Sequence, residues 1–228
     1  MKDTPSGFDR LARVYRALEF IAFGRDLERA RFEYLGRLSG CRDILLLGEG
    51  DGRCAARLAQ IAPDAAILCV DSSPGMIARA SRRVTGRAAA RVTFLCADAL
   101  SFSPESGRFD AVATLFFLDC LEPAEVESIV GRTGAALRPG APWLFADFAV
   151  PRRGIARLRA RAWLAVLYSF FRWGAGLRAS ALPPSQEILE RAGWSRTDCR
   201  EFQGGMITSA VFGRPREPVP TGARAASP

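Results

Sequence analysis

Residues 42–53, RDILLLGEGDGR, determine the fold that we expect for this chain. The apolar run predicts a buried parallel strand, and Gly48, Gly50 and Gly52 predict a tight turn leading into a helix near Arg53. Glycines let the backbone approach a ligand, and the N-terminus of the helix offers N–H groups to an anion. The third glycine comes one position too early for the dinucleotide pattern G-x-G-x-x-G. The stretch therefore predicts the floor of a nucleotide-type pocket; the alternative is a glycine-rich turn without a ligand.

Predicted strands and helices alternate along the rest of the chain. Further strands are predicted at 66–70, 91–95, 108–115 and 141–150, and helices at 54–61, 123–137 and 185–192. Two final runs, 195–203 and 206–212, are joined by Gly204 and Gly205 and predict a two-residue antiparallel hairpin whose second strand is the more buried. We expect an α/β, doubly wound, Rossmann-like sheet of seven strands, an N-terminal helical cap over residues 1–40 and a disordered tail over 214–228.

Length and charge set further limits. The 228 residues suffice for one α/β domain and a tail. The net charge is +8, but all but one of the 32 basic residues are arginine, which is typical of a biased base composition, so we expect no nucleic-acid partner. No apolar run approaches the roughly 20 residues that cross a bilayer. The start, MKDTPSGFDRL, has no apolar signal core, so we expect a cytoplasmic protein.

The cysteine and histidine content excludes several kinds of chemistry. The six cysteines form no C-x-x-C pair and the chain has no histidine, so we expect no bound metal. The lack of histidine also removes every Ser-His and Cys-His nucleophile pair, which disfavours hydrolases.

Acidic residues follow the second and third predicted strands. Asp71 ends the second strand about 20 residues beyond the glycine turn, where a carboxylate can accept hydrogen bonds from both hydroxyls of a ribose. Three residues further on, Pro74 lies just inside a predicted helix that includes Met76. The third strand leads into CADAL, in which Asp98 is either a second site residue or the cap of a local turn.

In this order, these stretches resemble the motifs of class I S-adenosylmethionine-dependent methyltransferases that act on small molecules. Residues 71–76 are similar to the D-x-S-x-x-M of that family. The segment FDRLARVYR is similar to the F-D-x-x-A-x-x-Y-D helix that opens many of its members, including quinone methyltransferases, with Arg16 in place of the usual acid. The resemblance covers residues 8–212. It implies a methyltransferase domain over 41–213 with S-adenosylmethionine as cofactor.

The resemblance also implies which residues hold the cofactor. Gly48, Glu49, Gly50 and Gly52 are expected around its methionine end, Asp71 on the ribose, Met76, Asp98 and Ala99 around the adenine, and Ser72 and Leu115 at the same site. The family usually carries an acid two residues before the first glycine, where this chain has Leu46. We expect Glu49 to supply the missing carboxylate to the amino group of the cofactor.

Few residues are available for catalysis. A sulfonium is already an activated electrophile, so the protein mainly aligns donor and acceptor and excludes water. Because histidine is absent and the single lysine lies near the N-terminus, Asp119 and Tyr15 are the candidate general bases. The candidate acceptor contacts are Phe116, Phe117, Tyr168 and Phe171. Their apolar surface predicts a small hydrophobic or aromatic acceptor.

The segment 152–176 differs from the rest of the chain. It combines arginines with the apolar run WLAVLYSFFRW, and a helix that is apolar nearly all round is usually buried in a core or against a partner. Three interpretations stay open: a lid over the acceptor, a homodimer face, and an interfacial helix whose arginines meet anionic lipid headgroups at a membrane surface.

Two other functions are alternatives to methyl transfer. The sequence GEGDG is similar to the G-G-G-D-G of aminopropyltransferases, which use decarboxylated S-adenosylmethionine on the same fold. Those enzymes carry an acid-rich stretch where this chain has Phe116 and Phe117, so an amine substrate is disfavoured. The other alternative is a non-catalytic cofactor-binding module that acts on a partner through its basic apolar helix.

Overall fold

The computed structural model describes residues 23–151, 154, 157, 158, 162 and 181–214. Tyr15, Tyr168, Phe171, most of the 152–176 segment and nearly all of the predicted tail lie outside the described residues. The described helices and strands are, in chain order, α1 Asp26–Phe32, β1 Asp43–Leu47, α2 Arg53–Ile61, β2 Ala66–Asp71, α3 Pro74–Arg83, β3 Val92–Cys96, β4 Ala111–Leu115, α4 Pro123–Ala136, β5 Trp143–Phe148, α5 Ser185–Arg191, β6 Ser195–Phe202 and β7 Ile207–Gly213. Short 3-10 helices occupy Leu35–Leu38, Gly86–Ala90 and Leu118–Cys120. Within these ranges no helix has the length and apolarity needed to span a membrane.

The strands form one seven-stranded sheet in the order β3-β2-β1-β4-β5-β7-β6. Strands β1 to β5 run parallel, whereas β7 is antiparallel to both β5 and β6. The predicted doubly wound sheet with a C-terminal antiparallel hairpin is therefore confirmed. The strand order reverses between β1 and β4, and in such sheets the crevice beyond the carboxyl ends of the two strands is where ligands bind.

Apolar side chains cover both faces of the sheet. In β1, Ile44 and Leu46 pack with residues of α2, while Leu45 and Leu47 pack with residues of α4 and α5. Successive side chains of a strand point to opposite faces, so a strand buried on both faces is apolar throughout. This layering fixes the carboxyl ends of the central strands at one edge.

The described part of the N-terminal cap is attached to the hairpin. Phe23 and Ala30 pack in one apolar cluster with Phe148, Met206 and Ile207. Ion pairs join Glu33 to Arg200 and Arg37 to Asp198, and Gln203 donates a hydrogen bond to Asp26. The cap is therefore anchored near the carboxyl end of β5.

Two local predictions are corrected. The hairpin loop has four residues, because β6 ends at Phe202 and β7 begins at Ile207. The left-handed conformation of Gln203 extends the turn beyond the two glycines, and the N–H groups of Gly205 and Met206 both donate to the Phe202 carbonyl at 3.1 Å. Strand β4 is shorter than predicted, because Phe109 makes only an isolated bridge to Leu137.

Candidate active site

The three glycines of the turn after β1 have different surroundings. All have positive φ, at 68°, 68° and 84° for Gly48, Gly50 and Gly52, a conformation that favours glycine. A Cβ on Gly48 would lie 2.3 Å from the Phe117 ring, and one on Gly52 would lie 2.6 Å from the Ala80 Cα. A Cβ on Gly50 would meet no described atom within 4 Å. The outer glycines therefore pack against the protein, and the middle glycine faces the open space that a ligand needs.

Asp71 lies beside this open space, at the end of β2. Its Oδ2 atom accepts a hydrogen bond from the Gly50 N–H at 2.8 Å, and its Oδ1 atom accepts one from the Ser73 N–H at 2.9 Å. A carboxylate oxygen can accept two hydrogen bonds, so each oxygen keeps capacity for a hydroxyl. The half-buried carboxylate thus fits the predicted contact with a ribose.

The predicted adenine-side residues gather at the neighbouring strand ends. Met76 is half-buried in the first turn of α3, and its N–H donates to the Ser73 Oγ at 3.3 Å. Asp98 is exposed after β3 and accepts a hydrogen bond from the Leu100 N–H at 2.9 Å. Ser72 is exposed and Ala99 is half-buried in the same region. Strands β2 and β3 are paired in parallel, so these residues share one edge. Leu115 is buried at the end of β4, two strands away.

Glu49 is buried beneath the turn. Its Oε1 atom accepts a hydrogen bond from the Ala55 N–H at 3.0 Å, in the first turn of α2. Burial raises the pKa of this carboxyl to about 7, and the hydrogen bond from Ala55 and the positive charge of Arg31 oppose that shift. The carboxyl therefore joins the turn to the helix, and its contact with the amino group of the cofactor stays a prediction.

Asp51 holds the glycine turn in place, a structural role that the motifs in the sequence did not indicate. Its Oδ2 atom accepts hydrogen bonds from the Arg53 Nε and the Arg83 Nη2, both at 3.1 Å. The backbone carbonyl of Asp51 also accepts a bond from the Arg83 Nε at 2.9 Å. Asp51 thus fixes the outer part of the turn to the end of α3. The position of Asp51 within the glycine stretch could have indicated its importance. No local pattern indicated that Arg83 would be its partner.

The two phenylalanines after β4 diverge. Phe117 packs against Gly48, whereas the Phe116 ring lies 5.5 Å from the Phe148 ring, between ring centroids, and 5.3 Å from the Arg31 guanidinium carbon. Phe116 has a positive φ of 58°, which is strained for a side chain of this size. Phe117 therefore shapes the glycine turn, and Phe116 faces the side of β5 and α1.

Asp119 lies in the turn after β4, next to a second acid. Its backbone N–H donates to the Asp147 Oδ2 at 3.0 Å, which brings the two carboxyl groups close together. Burial raises the pKa of both carboxyls, and the negative charge of Asp119 raises that of Asp147 further. Asp147 was not predicted as a site residue. The only indication in the sequence was a single acid within the apolar strand WLFADF.

One cavity adjoins Asp147, and a second cavity lies beside the first. One of about 240 Å³ is lined by Asp147 together with Phe145, Phe148, Leu182 and Pro183, among others. A second of about 590 Å³ shares part of this wall and is lined by charged residues that include Glu187, Glu190, Arg196 and Glu201. The described half of the site beyond β4 thus combines an aromatic wall, a buried acid pair and a charged opening.

Comparison with known proteins agrees with this geometry. A family model described as a methyltransferase domain matches residues 44–140. The demethylmenaquinone methyltransferase of Thermus thermophilus is 34% identical over 149 residues, covering 64% of this chain and 66% of that protein.

Solved structures show the same fold. An O-methyltransferase family protein from Burkholderia thailandensis has a TM-score of 0.66 at 16% identity, covering 92% of this chain and 64% of that one. The N-methyltransferase NodS of Bradyrhizobium japonicum, in complex with S-adenosylhomocysteine, has a TM-score of 0.57 at 17% identity, covering 94% of this chain and 90% of that one.

The fold, the glycine turn and Asp71 at the end of β2 match the nucleotide-type pocket that the sequence predicted. The chain belongs to the S-adenosylmethionine-dependent small-molecule methyltransferase family, and its cofactor is S-adenosylmethionine. The aminopropyltransferase and binding-module alternatives are not favoured. The chain spans about two thirds of the length of the Thermus relative.

Proposed function

We propose that this chain transfers a methyl group to a small hydrophobic or aromatic acceptor held beyond β4 and β5. The main observation behind the proposal is that the glycine turn and the aromatic cavity lie at the same edge of the sheet. The open space over Gly50 and the Asp71 carboxylate occupy one end of this edge, and the cavity lined by Phe145 and Phe148 occupies the other. The strand reversal between β1 and β4 separates the two, as expected for a donor and an acceptor that meet in one crevice.

The residues present fit the roles that this reaction requires. S-adenosylmethionine, when bound, supplies a methyl group that a positively charged sulfonium activates. Asp71 would hold the ribose, and the outer glycines would keep the turn close to the ligand. Phe116 and Phe148 would exclude water from the acceptor. Asp119 would take up the proton of the acceptor, as the described acid nearest to the end of β4.

The nature of the acceptor follows from the lining of the smaller cavity. The lining combines the aromatic rings of Phe145 and Phe148 with the buried acid Asp147 and polar side chains at the start of α5, so a ring that carries a hydroxyl group matches the cavity. The name of the Thermus relative, demethylmenaquinone methyltransferase, supports a hydrophobic ring as the acceptor, and the quinol form of such a ring carries hydroxyl groups. We also propose a cytoplasmic location, with segment 152–176 covering the acceptor or contacting a second copy or a membrane surface.

Methyl-labelled S-adenosylmethionine tests this proposal directly. Each reaction contains the protein, the labelled cofactor and one candidate acceptor. The acceptors are demethylmenaquinone, catechol and a small-molecule extract of cells. We expect label in an extracted organic product in at least one reaction and none with an aliphatic dicarboxylic acid. Binding of the cofactor without any labelled product in all of these reactions would contradict the proposal and favour a binding module.

A further inference from the structure

Asp147, which is buried, and Asp119, which is half-buried, form a close pair of acids. The Asp147 Oδ2 accepts the Asp119 N–H and its Oδ1 accepts the Phe148 N–H, both at 3.0 Å, so backbone donors hold this carboxyl in place. The backbone bond from Asp119 brings its carboxyl close to that of Asp147, and the negative charge of Asp119 raises the pKa of Asp147. A hydrogen bond between two carboxyl groups needs a proton on one of them. Two negative charges that are close together and shielded from water repel each other strongly. This repulsion favours the state in which the pair holds one proton.

The surroundings of the pair favour a single negative charge. Among the described residues, Arg31 of α1 is a positive group that acts on Asp119, and Cys120 donates its thiol to the Asp119 Oδ1 at 3.6 Å. Glu187 of α5 is the other acid that lines the cavity beside Asp147. Asp147 is only 2% exposed, while Asp119 lies in the less buried turn. The neutral form therefore belongs on Asp147, and the charge belongs on Asp119.

The pair also lies where an acceptor must bind. Asp147 contributes to the wall of the 240 Å³ cavity, and Asp119 follows β4 at the crevice that faces the glycine turn. A hydroxyl group entering from the cavity would thus reach the pair before it reaches the donor side.

We propose that Asp119 and Asp147 act as one proton-sharing unit, in which Asp147 is the positioning residue and Asp119 accepts the proton of a hydroxyl-bearing aromatic acceptor. This inference rests on the proposed function. As the oxygen gains the methyl group, its O–H bond breaks and the proton moves to Asp119. The charge of the pair changes from −1 to 0 while the sulfonium becomes a neutral thioether, so charge and protons balance. Solvent then removes the proton.

Carboxyl titration tests the pair without any acceptor. The side-chain carboxyl carbons of 13C-aspartate-labelled protein are followed by NMR across pH, in the parent and in Asp147→Asn and Asp119→Asn. We expect the parent to show two linked steps, with the upper one well above the ordinary range, and each variant to keep a single, lower step. Two independent titrations in the ordinary range of aspartate would overturn the inference.

Kinetics test the role in catalysis, with catechol as the acceptor or, if catechol is not methylated, the reduced quinol form of demethylmenaquinone, because the proposed step needs an acceptor that carries a hydroxyl group. We expect Asp119→Asn to lower kcat by about 100-fold or more. In the parent, loss of the Asp147 proton at high pH would remove the group that positions Asp119, so the rate should fall there. Asp147→Asn should lower kcat by about tenfold with KM unchanged and should show no such fall, because asparagine has no proton to lose. Rates and pH profiles of Asp147→Asn equal to those of the parent would contradict the positioning role.

A matched control separates catalysis from folding. Asp110 accepts the Arg42 and Asp43 N–H groups at 2.8 and 3.0 Å at the opposite edge of the sheet, so Asp110→Asn loses a comparable backbone contact. It should change the melting temperature without changing the pH profile. If no acceptor is methylated, the proposed function fails, but the NMR titration still decides whether the proton is shared.

Discussion

The two halves of the site are built differently. On the side of β1 to β3, the polar side chains bind backbone N–H groups of nearby turns, as Asp71 binds Gly50 and Ser73. On the side of β4 and β5, Asp147 also binds two backbone N–H groups, but its carboxyl lies close to a second acid, Asp119, whose negative charge raises the pKa of Asp147. Asp71 therefore acts singly in the cofactor half, whereas the acceptor half contains two acids that we propose share a proton.

The largest expected effect is a loss of stability on substitution of Gly52, which we compare with substitution of Gly50 in the same turn. Both have positive φ, but a Cβ on Gly52 would collide with the Ala80 backbone, whereas a Cβ on Gly50 would face open space. We expect Gly52→Ala to lower the free energy of unfolding by about 3 to 4 kcal/mol. Gly50→Ala should cost only about 1 to 2 kcal/mol from backbone strain and should weaken cofactor binding about tenfold or more.

Denaturant unfolding and calorimetry with S-adenosylhomocysteine measure the two effects. Equal loss of stability in the two variants would show that the middle glycine packs like the outer one. Unchanged cofactor affinity in Gly50→Ala would show that the ligand does not approach this residue.

Removal of the ribose-side acid tests the cofactor half by itself. We expect Asp71→Ala to weaken cofactor binding by about 3 kcal/mol, or more than about 100-fold, because two charge-assisted hydrogen bonds are lost. Asp64→Ala, an exposed acid before the other end of β2, is the matched control and should leave the affinity unchanged. Calorimetric affinities that are equal for the parent and Asp71→Ala would refute the ribose assignment.

Glu49 gives the cofactor half its own pH dependence of stability. Its folded pKa, about 7, exceeds the ordinary 4.5, so the folded state binds the proton more tightly than the unfolded state does. The resulting stabilisation is complete below pH 4.5 and is lost as pH rises through 7. This loss should lower the free energy of unfolding by about 2 kcal/mol between about pH 5 and 7. Glu49→Gln should lack this decrease, and an identical decrease in parent and variant would assign it to other groups.

The smallest effect concerns segment 152–176. Leu158 is helical and 76% exposed, which supports a surface contact of this segment. If the contact is with a membrane, the protein should float with anionic vesicles at low salt and less at high salt, because salt screens the arginines. Leu158→Glu should reduce flotation, whereas Leu95→Glu, at an exposed leucine of β3, should not. Absence of flotation together with a dimer in solution would favour the homodimer interpretation.

Features encoded by adjacent residues were predictable from the sequence. The glycine turn, Asp71 at the end of β2 and the Pro74 helix start each depend on a few neighbouring residues, and the sheet follows from the alternation of strands and helices. Partners that come from distant parts of the chain were not predictable. Arg83 reaches Asp51 from the far end of α3, and Asp147 meets Asp119 only because β4 and β5 pair in parallel. No local pattern specifies such contacts.

A crystal structure with S-adenosylhomocysteine tests the central claim most directly. We expect the ligand in the open space over Gly50, with its ribose hydroxyls on the Asp71 carboxylate, its adenine near Met76 and Asp98, and its sulfur facing Asp119. A ligand bound elsewhere, or one whose sulfur faces away from Asp119 and the cavity beside Asp147, would contradict the proposed arrangement of donor and acceptor.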